Sequence, residues 1–135
     1  MGCWAIGSFG NDDAADWISD LTQQKDLSLV RESIAELLAF DGYLDAPYAT
    51  QALAAIEVVA AVLGRPTAAA QSQEELMSWV ANTRASADPE LVSQCLAAID
   101  RISGPESELR ELWEDTDDFQ EWQADVAKLR SRVQV

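Results

Sequence analysis

Residues 45–63 read DAPYATQALAAIEVVAAVL, and their pattern predicts a long helix with recognisable ends. Asp45 suits the N-cap and Pro47 the first helical turn, where its missing amide hydrogen costs nothing. Gly64 follows as a C-terminal capping residue, because glycine readily adopts the left-handed conformation found there. Alanine, valine, leucine and isoleucine dominate between these ends, so the helix has almost no polar face. Such a helix is buried, and we expect it at the centre of a helical bundle.

Amphipathic helices are predicted on both sides of this central helix. In each one, apolar residues recur at intervals of three or four, which places them on one face. The apolar stripes are Ala14, Trp17, Ile18 and Leu21; Val30, Ile34, Leu37 and Leu38; Leu76, Met77, Trp79 and Val80; Val92, Cys95, Leu96, Ile99 and Ile102; Leu109, Leu112 and Trp113; and Phe119, Trp122, Val126, Leu129 and Val133. Asp88 before Pro89 marks one helix start, and Ser72 with Glu75 forms a capping box at another. Since there is no β alternation and no internal repeat, the chain is predicted to be all-α, with about six to seven helices.

The first ten residues differ from this helical pattern, because three glycines stand among Trp4, Ile6 and Phe9. Such a sequence favours an extended or turn-like segment whose large apolar side chains need to be buried. We expect this aromatic N-terminal segment to pack across the helices. At 135 residues, 48% of them apolar, the chain can build one core. The predicted architecture is a compact helical bundle that forms a single domain over residues 1–135.

The chain is strongly acidic, with 24 Asp and Glu against nine Lys and Arg and a formal net charge of −15. Negative charge repels polyphosphate backbones and anionic lipid surfaces, so neither nucleic acid nor a membrane is an expected partner. A well-solvated surface is the commoner reason for such acidity. Attraction of a basic partner protein is the alternative. The acids are concentrated at the two ends of the chain, in residues 1–45 and 105–135.

The residue types needed for common catalytic chemistry are missing. Histidine is absent, which removes the usual general base and zinc ligand near neutral pH. Cys3 and Cys95 lie far apart and form no C-x-x-C pair, so we interpret them as reduced thiols, with Cys95 in the core. No phosphate-binding loop, nucleophile elbow or H-E-x-x-H motif occurs. We expect no enzymatic activity, no bound metal and no cofactor.

Neither targeting nor membrane insertion is indicated by the sequence. The N-terminus lacks the charged start and apolar run of a signal peptide, and no uncharged apolar stretch of about 18 residues occurs. A cytoplasmic location is therefore predicted. The sequence carries no signal of the oligomeric state.

Two acidic groupings offer an alternative based on carboxylate chemistry. Asp12, Asp13 and Asp16 share the start of the first predicted helix and carry the oxygen ligands that hard cations prefer. Asp41 and Asp45 flank a turn and have the composition of an acid–base pair. Helix capping and turn formation explain both groupings equally well. A carboxylate-based, metal-dependent hydrolase requires the two groupings to meet in space.

A third grouping, which we call the acidic segment, comprises residues 106–118 and holds seven acids against the single base Arg110. This density exceeds what capping of the last helix requires. Concentrated carboxylates steer a basic protein towards them and imitate the phosphates that such a protein binds. A solvated acidic face explains the same residues. If the segment binds a partner, the candidate contact residues are Glu111, Glu114, Asp115 and Asp118.

Five tryptophans are many for a chain of this length, and tryptophan is favoured both in cores and at interface hot spots. Trp17, Trp113 and Trp122 fit the apolar stripes and are assigned to the core. Trp4 and Trp79 have weaker core assignments. They are the candidates for exposed aromatic residues that bind a partner.

Several motifs stand in a characteristic order along the chain. They are Met1-Gly2-x-Trp4, Phe9-x-Asn11-Asp12-x-Ala14-x-Asp16-Trp17, Asp41-Gly42-Tyr43-Leu44-Asp45-Ala46, Ser107-Glu108-Leu109-x-Glu111-Leu112-Trp113 and Phe119-x-x-Trp122. Together they resemble a bacterial family of domains of unknown function that is defined by a short chain and an MG-x-W-G start. Ala5 departs from that start, where the family usually has glycine. The resemblance covers nearly the whole chain and implies one bacterial domain, without an activity, substrate or catalytic residue.

The leading functional hypothesis is a non-enzymatic protein-binding module, such as an immunity protein or an inhibitor of a basic toxin or nuclease. It rests on the negative charge, the small helical scaffold and the missing catalytic groups. The first alternative is the carboxylate-based hydrolase, and the second is a helical regulatory adaptor. The sequence does not separate the adaptor from the leading hypothesis.

Overall fold

The structure is a computed structural model that describes residues 12–24, 26–83 and 86–134. Within these ranges it contains eight α-helices and no β-strand. The helices are α1 (Asp12–Leu21), α2 (Ser28–Leu38), α3 (Ala46–Val62), α4 (Ala68–Gln71), α5 (Glu74–Asn82), α6 (Pro89–Ser103), α7 (Glu108–Glu114) and α8 (Phe119–Val133). Because α4 is a single turn of four residues, the described ranges hold seven longer helices, in agreement with the prediction. The all-α helical bundle is confirmed, while the predicted aromatic N-terminal segment lies outside the described residues.

Helix α3 runs through the middle of the bundle, as its apolar sequence predicts. Every residue from Ala49 to Ala61 except Gln51 is buried. All seven other described helices contact α3. Its many alanines allow these neighbours to approach, because the distance between two helix axes depends on the side chains at the contact. In the described part of the chain, no helix combines the length and apolar character needed to cross a bilayer.

The C-terminus of α3 is closed by a Schellman motif built on Gly64. Gly64 has a φ of +86°, and its N–H donates to the carbonyl of Ala61 at 3.0 Å. The next amide, that of Arg65, donates to the carbonyl of Ala60 at 2.9 Å. Glycine takes this left-handed conformation without the steric cost that a Cβ would add. The predicted capping role of Gly64 is confirmed.

Thr67 starts a helical turn for which the sequence pattern gives no signal. Its hydroxyl accepts a hydrogen bond from the N–H of Ala70 at 3.2 Å, and this cap begins α4. Ser72 is the C-cap residue of α4, so α5 begins one residue later, with Gln73 at its N-cap. The predicted capping box of Ser72 and Glu75 is therefore wrong, because the preceding turn already uses Ser72.

The start of α6 follows the sequence prediction closely. The Asp88 carboxylate accepts the N–H of Leu91 at 2.8 Å, and Pro89 occupies the first helical position. Asp88 also accepts a hydrogen bond from Arg31 of α2 at 2.9 Å. The cap therefore ties the starts of α2 and α6 together.

Most side chains of the predicted apolar stripes lie in the core or pack against it, but Leu38 of the α2 stripe is 38% exposed. Trp17, Trp113 and Trp122 are all buried. The indole N–H of Trp17 donates to the hydroxyl of Ser33 at 2.8 Å, which satisfies the polar edge of the ring. Cys95 is fully buried in α6, and burial raises the pKa of its thiol to about 12. A thiol in this environment stays protonated and packs as a small apolar residue.

The bundle has two ends that carry different loops. The acidic end contains the α2–α3 loop (39–45), the α6–α7 loop (104–107) and the acidic segment (106–118). The opposite end contains the α3–α4 loop (63–67), the residues before α6 (86–88) and the C-terminus of α8. At the acidic end Leu44 is hydrogen-bonded to the α6–α7 loop, and at the opposite end Arg65 donates to the carbonyl of Gln134 at 3.0 Å. Helix α3 begins at the acidic end and finishes at the opposite end, so its length separates the two.

Candidate functional site

Two loops that are distant in sequence lie side by side at the acidic end. The N–H of Leu44 donates to the carbonyl of Glu106 at 2.8 Å, and the N–H of Glu108 donates to the carbonyl of Leu44 at 2.9 Å. These bonds form a short parallel bridge between Leu44 and Ser107. The Leu44 side chain is fully buried beneath the bridge. The fold therefore joins the motif at residues 41–46 to the motif that starts at Ser107.

Arg101, in the last turns of α6, is hydrogen-bonded to both loops. Its guanidinium donates to the carbonyl of Glu106 at 3.1 Å and also to the carbonyl of Gly42 in the other loop. Glu106 has a φ of +59°, a left-handed conformation that costs a non-glycine residue roughly 1–2 kcal/mol. Its carbonyl accepts from both Leu44 and Arg101, and these two bonds hold the unusual backbone in place. The loop pair is thus a preorganised structure.

Glu108, the first residue of α7, caps the central helix. Asp45 occupies the N-cap position of α3, as predicted, but its side chain makes no capping hydrogen bond. The N–H of Ala46 donates instead to Oε1 of Glu108 at 2.7 Å. A carboxylate at this point also complements the positive end of the helix dipole. The Asp45 side chain remains exposed at the edge of the loop pair.

Tyr43 lies among the carboxylates of the loop pair. Its side chain is 46% exposed, and its hydroxyl donates to Oε1 of Glu111 at 3.0 Å. Partial desolvation raises the pKa of Tyr43, and the hydrogen bond to Glu111 and the charges of Glu111, Glu108 and Asp45 raise it further. These four residues therefore form one electrostatically coupled group. Sequence reasoning missed Tyr43, since the contact to Glu111 joins two distant segments.

The large apolar side chains that the described residues expose are confined to one short region. They are Leu38, Tyr43 and Tyr48, with exposed fractions of 38%, 46% and 39%. Tyr48 packs against Phe40 with the ring centroids 4.7 Å apart. All of these residues lie in or beside the α2–α3 loop. The acidic end thus combines aromatic surface with carboxylates.

The four predicted contact residues of the acidic segment, Glu111, Glu114, Asp115 and Asp118, are exposed. Oε1 of Glu114 lies 3.5 Å from Nε of Arg110. Both side chains are partly solvated, so this ion pair contributes little to stability. Arg110 also lies over the ring of Phe119, 5.8 Å from its centroid. The one base of the segment is therefore engaged within the chain, and the surrounding carboxylates face solvent.

Trp79 was proposed above as an exposed aromatic residue, and the structure corrects this expectation. The side chain is half-buried against the core, and its indole N–H donates to the carbonyl of Gln24 at 2.8 Å. These contacts connect α5 to the turn that follows α1. The sequence pattern does not indicate this role of Trp79, because its partner Gln24 belongs to a distant segment. Trp4 lies outside the described residues.

The residues of the hydrolase alternative occupy α1 and the α2–α3 loop. Asp16, Asp41 and Asp45 are exposed, and the side chains of Asp12 and Asp13 lie outside the part of the structure that is described. In that part, no group of three or more His, Cys, Asp or Glu side chains is arranged to hold a metal ion. Asp45 lies close enough to Tyr43 for its charge to raise the pKa of that side chain.

Comparison with known proteins gives a match to the family model described as Domain of unknown function (DUF4259), over residues 2–125. No curated protein and no solved structure matches the chain. The matched range includes the loop pair, the acidic segment and the first half of α8.

Proposed function

The chain belongs to the DUF4259 family of domains of unknown function, and we propose that it is a non-enzymatic module that binds a basic protein through its acidic end. The proposal rests chiefly on one observation, the joining of the acidic segment to the α2–α3 loop. This arrangement places Tyr43 in hydrogen-bonding contact with Glu111. Carboxylates beside an exposed aromatic ring suit a protein interface, where tyrosine supplies contact area and charge supplies steering.

Preorganisation supports a binding role for this surface. Arg101 bonds to both loops, and Leu44 anchors them from below. A rigid surface loses little conformational entropy on association, so more of the contact energy appears as affinity. Arg110 lies 3.5 Å from Glu114, and Glu111, Asp115 and Asp118 are exposed to a partner as well.

The proposed partner is a basic toxin or nuclease, for which the protein acts as an immunity protein or inhibitor. A nuclease presents positive charge to hold phosphates, and a row of carboxylates competes for the same charge. Glu111, Glu114, Asp115 and Asp118 are the residues assigned to this contact.

A charge-neutral variant of the acidic segment tests the proposal. The basic partner is first isolated by affinity capture on the full chain and identified, and its association rate is then measured at several salt concentrations. Neutralising Glu111→Gln, Glu114→Gln, Asp115→Asn and Asp118→Asn together should slow association by about ten-fold at low salt, because electrostatic steering is lost. The salt dependence of the rate should flatten as well.

A matched control carries the same change in net charge at other exposed acids. It combines Asp20→Asn, Glu32→Gln, Glu74→Gln and Glu90→Gln, all of which are exposed in α1, α2, α5 and α6. The control should retain most of the association rate of the wild type. If the two variants bind equally, the acidic segment is not the contact surface. Failure to capture any basic partner contradicts the proposed function itself.

A further inference from the structure

The exposed aromatic surface at the acidic end is suited to one class of occupant. Tyr43 is almost half exposed, and Asp45, Glu108 and Glu111 place negative charge around its phenol group. A second copy of the chain would bring the same carboxylates against each other, and an anionic membrane would be repelled as well. A positively charged protein side chain is complementary to both the ring and the carboxylates.

The same protein already holds one arginine in this way. The guanidinium of Arg110 lies over the ring of Phe119, with the centroid at 5.8 Å, while its Nε is 3.5 Å from a carboxylate oxygen of Glu114. An aromatic face and a nearby carboxylate thus flank this guanidinium, which also donates to the carbonyl of Ser103 at 3.1 Å. Tyr43 and Glu111 reproduce this pair of groups on the surface, and their hydrogen bond of 3.0 Å fixes the position of the ring edge.

Arginine fits this pair of groups better than lysine does. Its guanidinium is planar, stacks on an aromatic face and donates two parallel hydrogen bonds to a carboxylate. The lysine ammonium is a strongly hydrated point charge without a flat face. We infer that Tyr43, with Glu111 and Asp45, forms a receptor site for an arginine side chain of the basic partner, an inference that rests on the proposed function.

Arg101 is a positioning residue for this site. Its bonds to the carbonyls of Gly42 and Glu106 hold the residues that precede Tyr43 and Ser107. The Tyr43 ring and the Glu111 carboxylate therefore keep their relative position without direct contact to Arg101. The site is assembled from two loops, and its shape depends on their connection.

The test compares capped hexa-arginine and hexa-lysine peptides, which carry equal charge, by calorimetric titration of the full chain at low salt. The wild type should bind hexa-arginine about three- to five-fold more tightly, the size of a cation–π contribution at an exposed site. Tyr43→Leu should remove this preference without changing the net charge. Tyr43→Phe should keep most of it, because the ring remains. Tyr48→Leu makes the same change at another exposed tyrosine and should leave the preference unchanged.

The outcomes separate this inference from the proposed function. Equal binding of the two peptides to the wild type overturns the arginine site, and so does an arginine preference that survives Tyr43→Leu. If the quadruple acidic-segment variant still slows association of the captured partner in that case, the proposed function stands without the arginine site. Loss of the preference in Tyr43→Leu and its retention in Tyr48→Leu, with unchanged helical circular dichroism in both, supports the site.

Discussion

The two ends of the bundle use their charged residues differently. At the acidic end, Arg101 and Arg110 donate to backbone carbonyls, Arg110 also lies in ion-pair distance of Glu114, and the acids around them are exposed. At the opposite end, Arg65 and Arg132 bond to the carbonyls of Gln134 and Pro66 and connect the α3–α4 loop to the end of α8. In both places arginine holds the chain together. The acidic end differs because it presents many carboxylates and two tyrosines to solvent.

Arginine has the same structural role throughout the described part of the chain. All six arginines of the described residues have a partner within the chain, either a carbonyl or a carboxylate. They are Arg31, Arg65, Arg101, Arg110, Arg130 and Arg132. Hydrogen bonds to neutral carbonyls leave the charge of a guanidinium unchanged, so the negative charge of the surface follows from the excess of acids over bases. The opposite end carries a groove of about 570 Å³ whose lining includes Leu63, Val92 and Leu96, and no acid lines it among the described residues.

The largest effect is expected from the buried anchor of the acidic end. Leu44→Ala removes a fully buried side chain below the loop bridge and should lower the free energy of unfolding by about 3 kcal/mol. Leu63→Ala at the opposite end removes a half-buried side chain, and a loss of about 1 kcal/mol is expected. Urea denaturation measures both losses. Equal losses of unfolding free energy would mean that Leu44 does not stabilise the loop pair more than Leu63 stabilises the opposite end.

A smaller effect is expected when the loops lose their arginine. Arg101→Met removes the bonds to both loops while keeping most of the apolar stem, and should cost about 2 kcal/mol. Arg132→Met at the opposite end removes one bond to the carbonyl of Pro66, and about 0.5 kcal/mol is expected. Urea midpoints again give the comparison. In Arg101→Met the arginine preference of the peptides should also fall, an outcome that a uniform loss of stability does not predict.

The smallest effect concerns a carboxylate of the opposite end and its dependence on pH. The N–H of Leu91 and the guanidinium of Arg31 hold the pKa of Asp88 below its ordinary value of 3.8. The stabilisation is therefore present above that ordinary value and is lost as the pH falls through the lowered one. Asp88→Asn keeps an acceptor for the cap but removes this dependence. The difference in unfolding free energy between wild type and variant should shrink as the solution becomes more acidic.

Asp125 supplies a control of opposite sign. Burial raises the pKa of this α8 side chain, so protonation is more favourable in the folded than in the unfolded protein. Its unfavourable contribution disappears as the pH falls through the raised pKa, and Asp125→Asn should therefore lose its advantage over the wild type in acid. The unfolding free energy of each variant minus that of the wild type should therefore rise in acid for Asp88→Asn and fall for Asp125→Asn. If the two differences change in the same direction, the contribution assigned to the Asp88 cap is wrong.

Local rules account for much of the fold. The central position of α3 follows from a helix without a polar face, and Gly64 and Asp88 mark helix ends through the conformations and acceptors that those ends require. The capping box at Ser72 fails because an unexpected turn begins at Thr67. That turn is too short to leave an apolar stripe, so periodicity carries no signal of it.

The candidate site was harder to predict, since it depends on contacts between distant segments. The acidic segment is visible in the sequence because seven acids fall within thirteen residues. The importance of Tyr43 arises only when Leu44 pairs with the α6–α7 loop and brings Glu111 within hydrogen-bonding distance. Trp79 was misassigned for the same reason, since its partner Gln24 belongs to another part of the chain. Residue spacing describes one helix at a time and gives no information on such pairs.

The buried thiol of Cys95 has a consequence for chemical reactivity. Its side chain has no solvent contact, and its pKa of about 12 keeps the thiolate scarce near neutral pH. Thiolates attack alkylating reagents and disulfides, so this sulfur reacts only when α6 separates from the bundle. The rate at which it is alkylated in the native protein therefore reports how often the core opens. Cys95 is a built-in probe of that opening, and a partner that stabilises the fold should lengthen the lifetime of the free thiol.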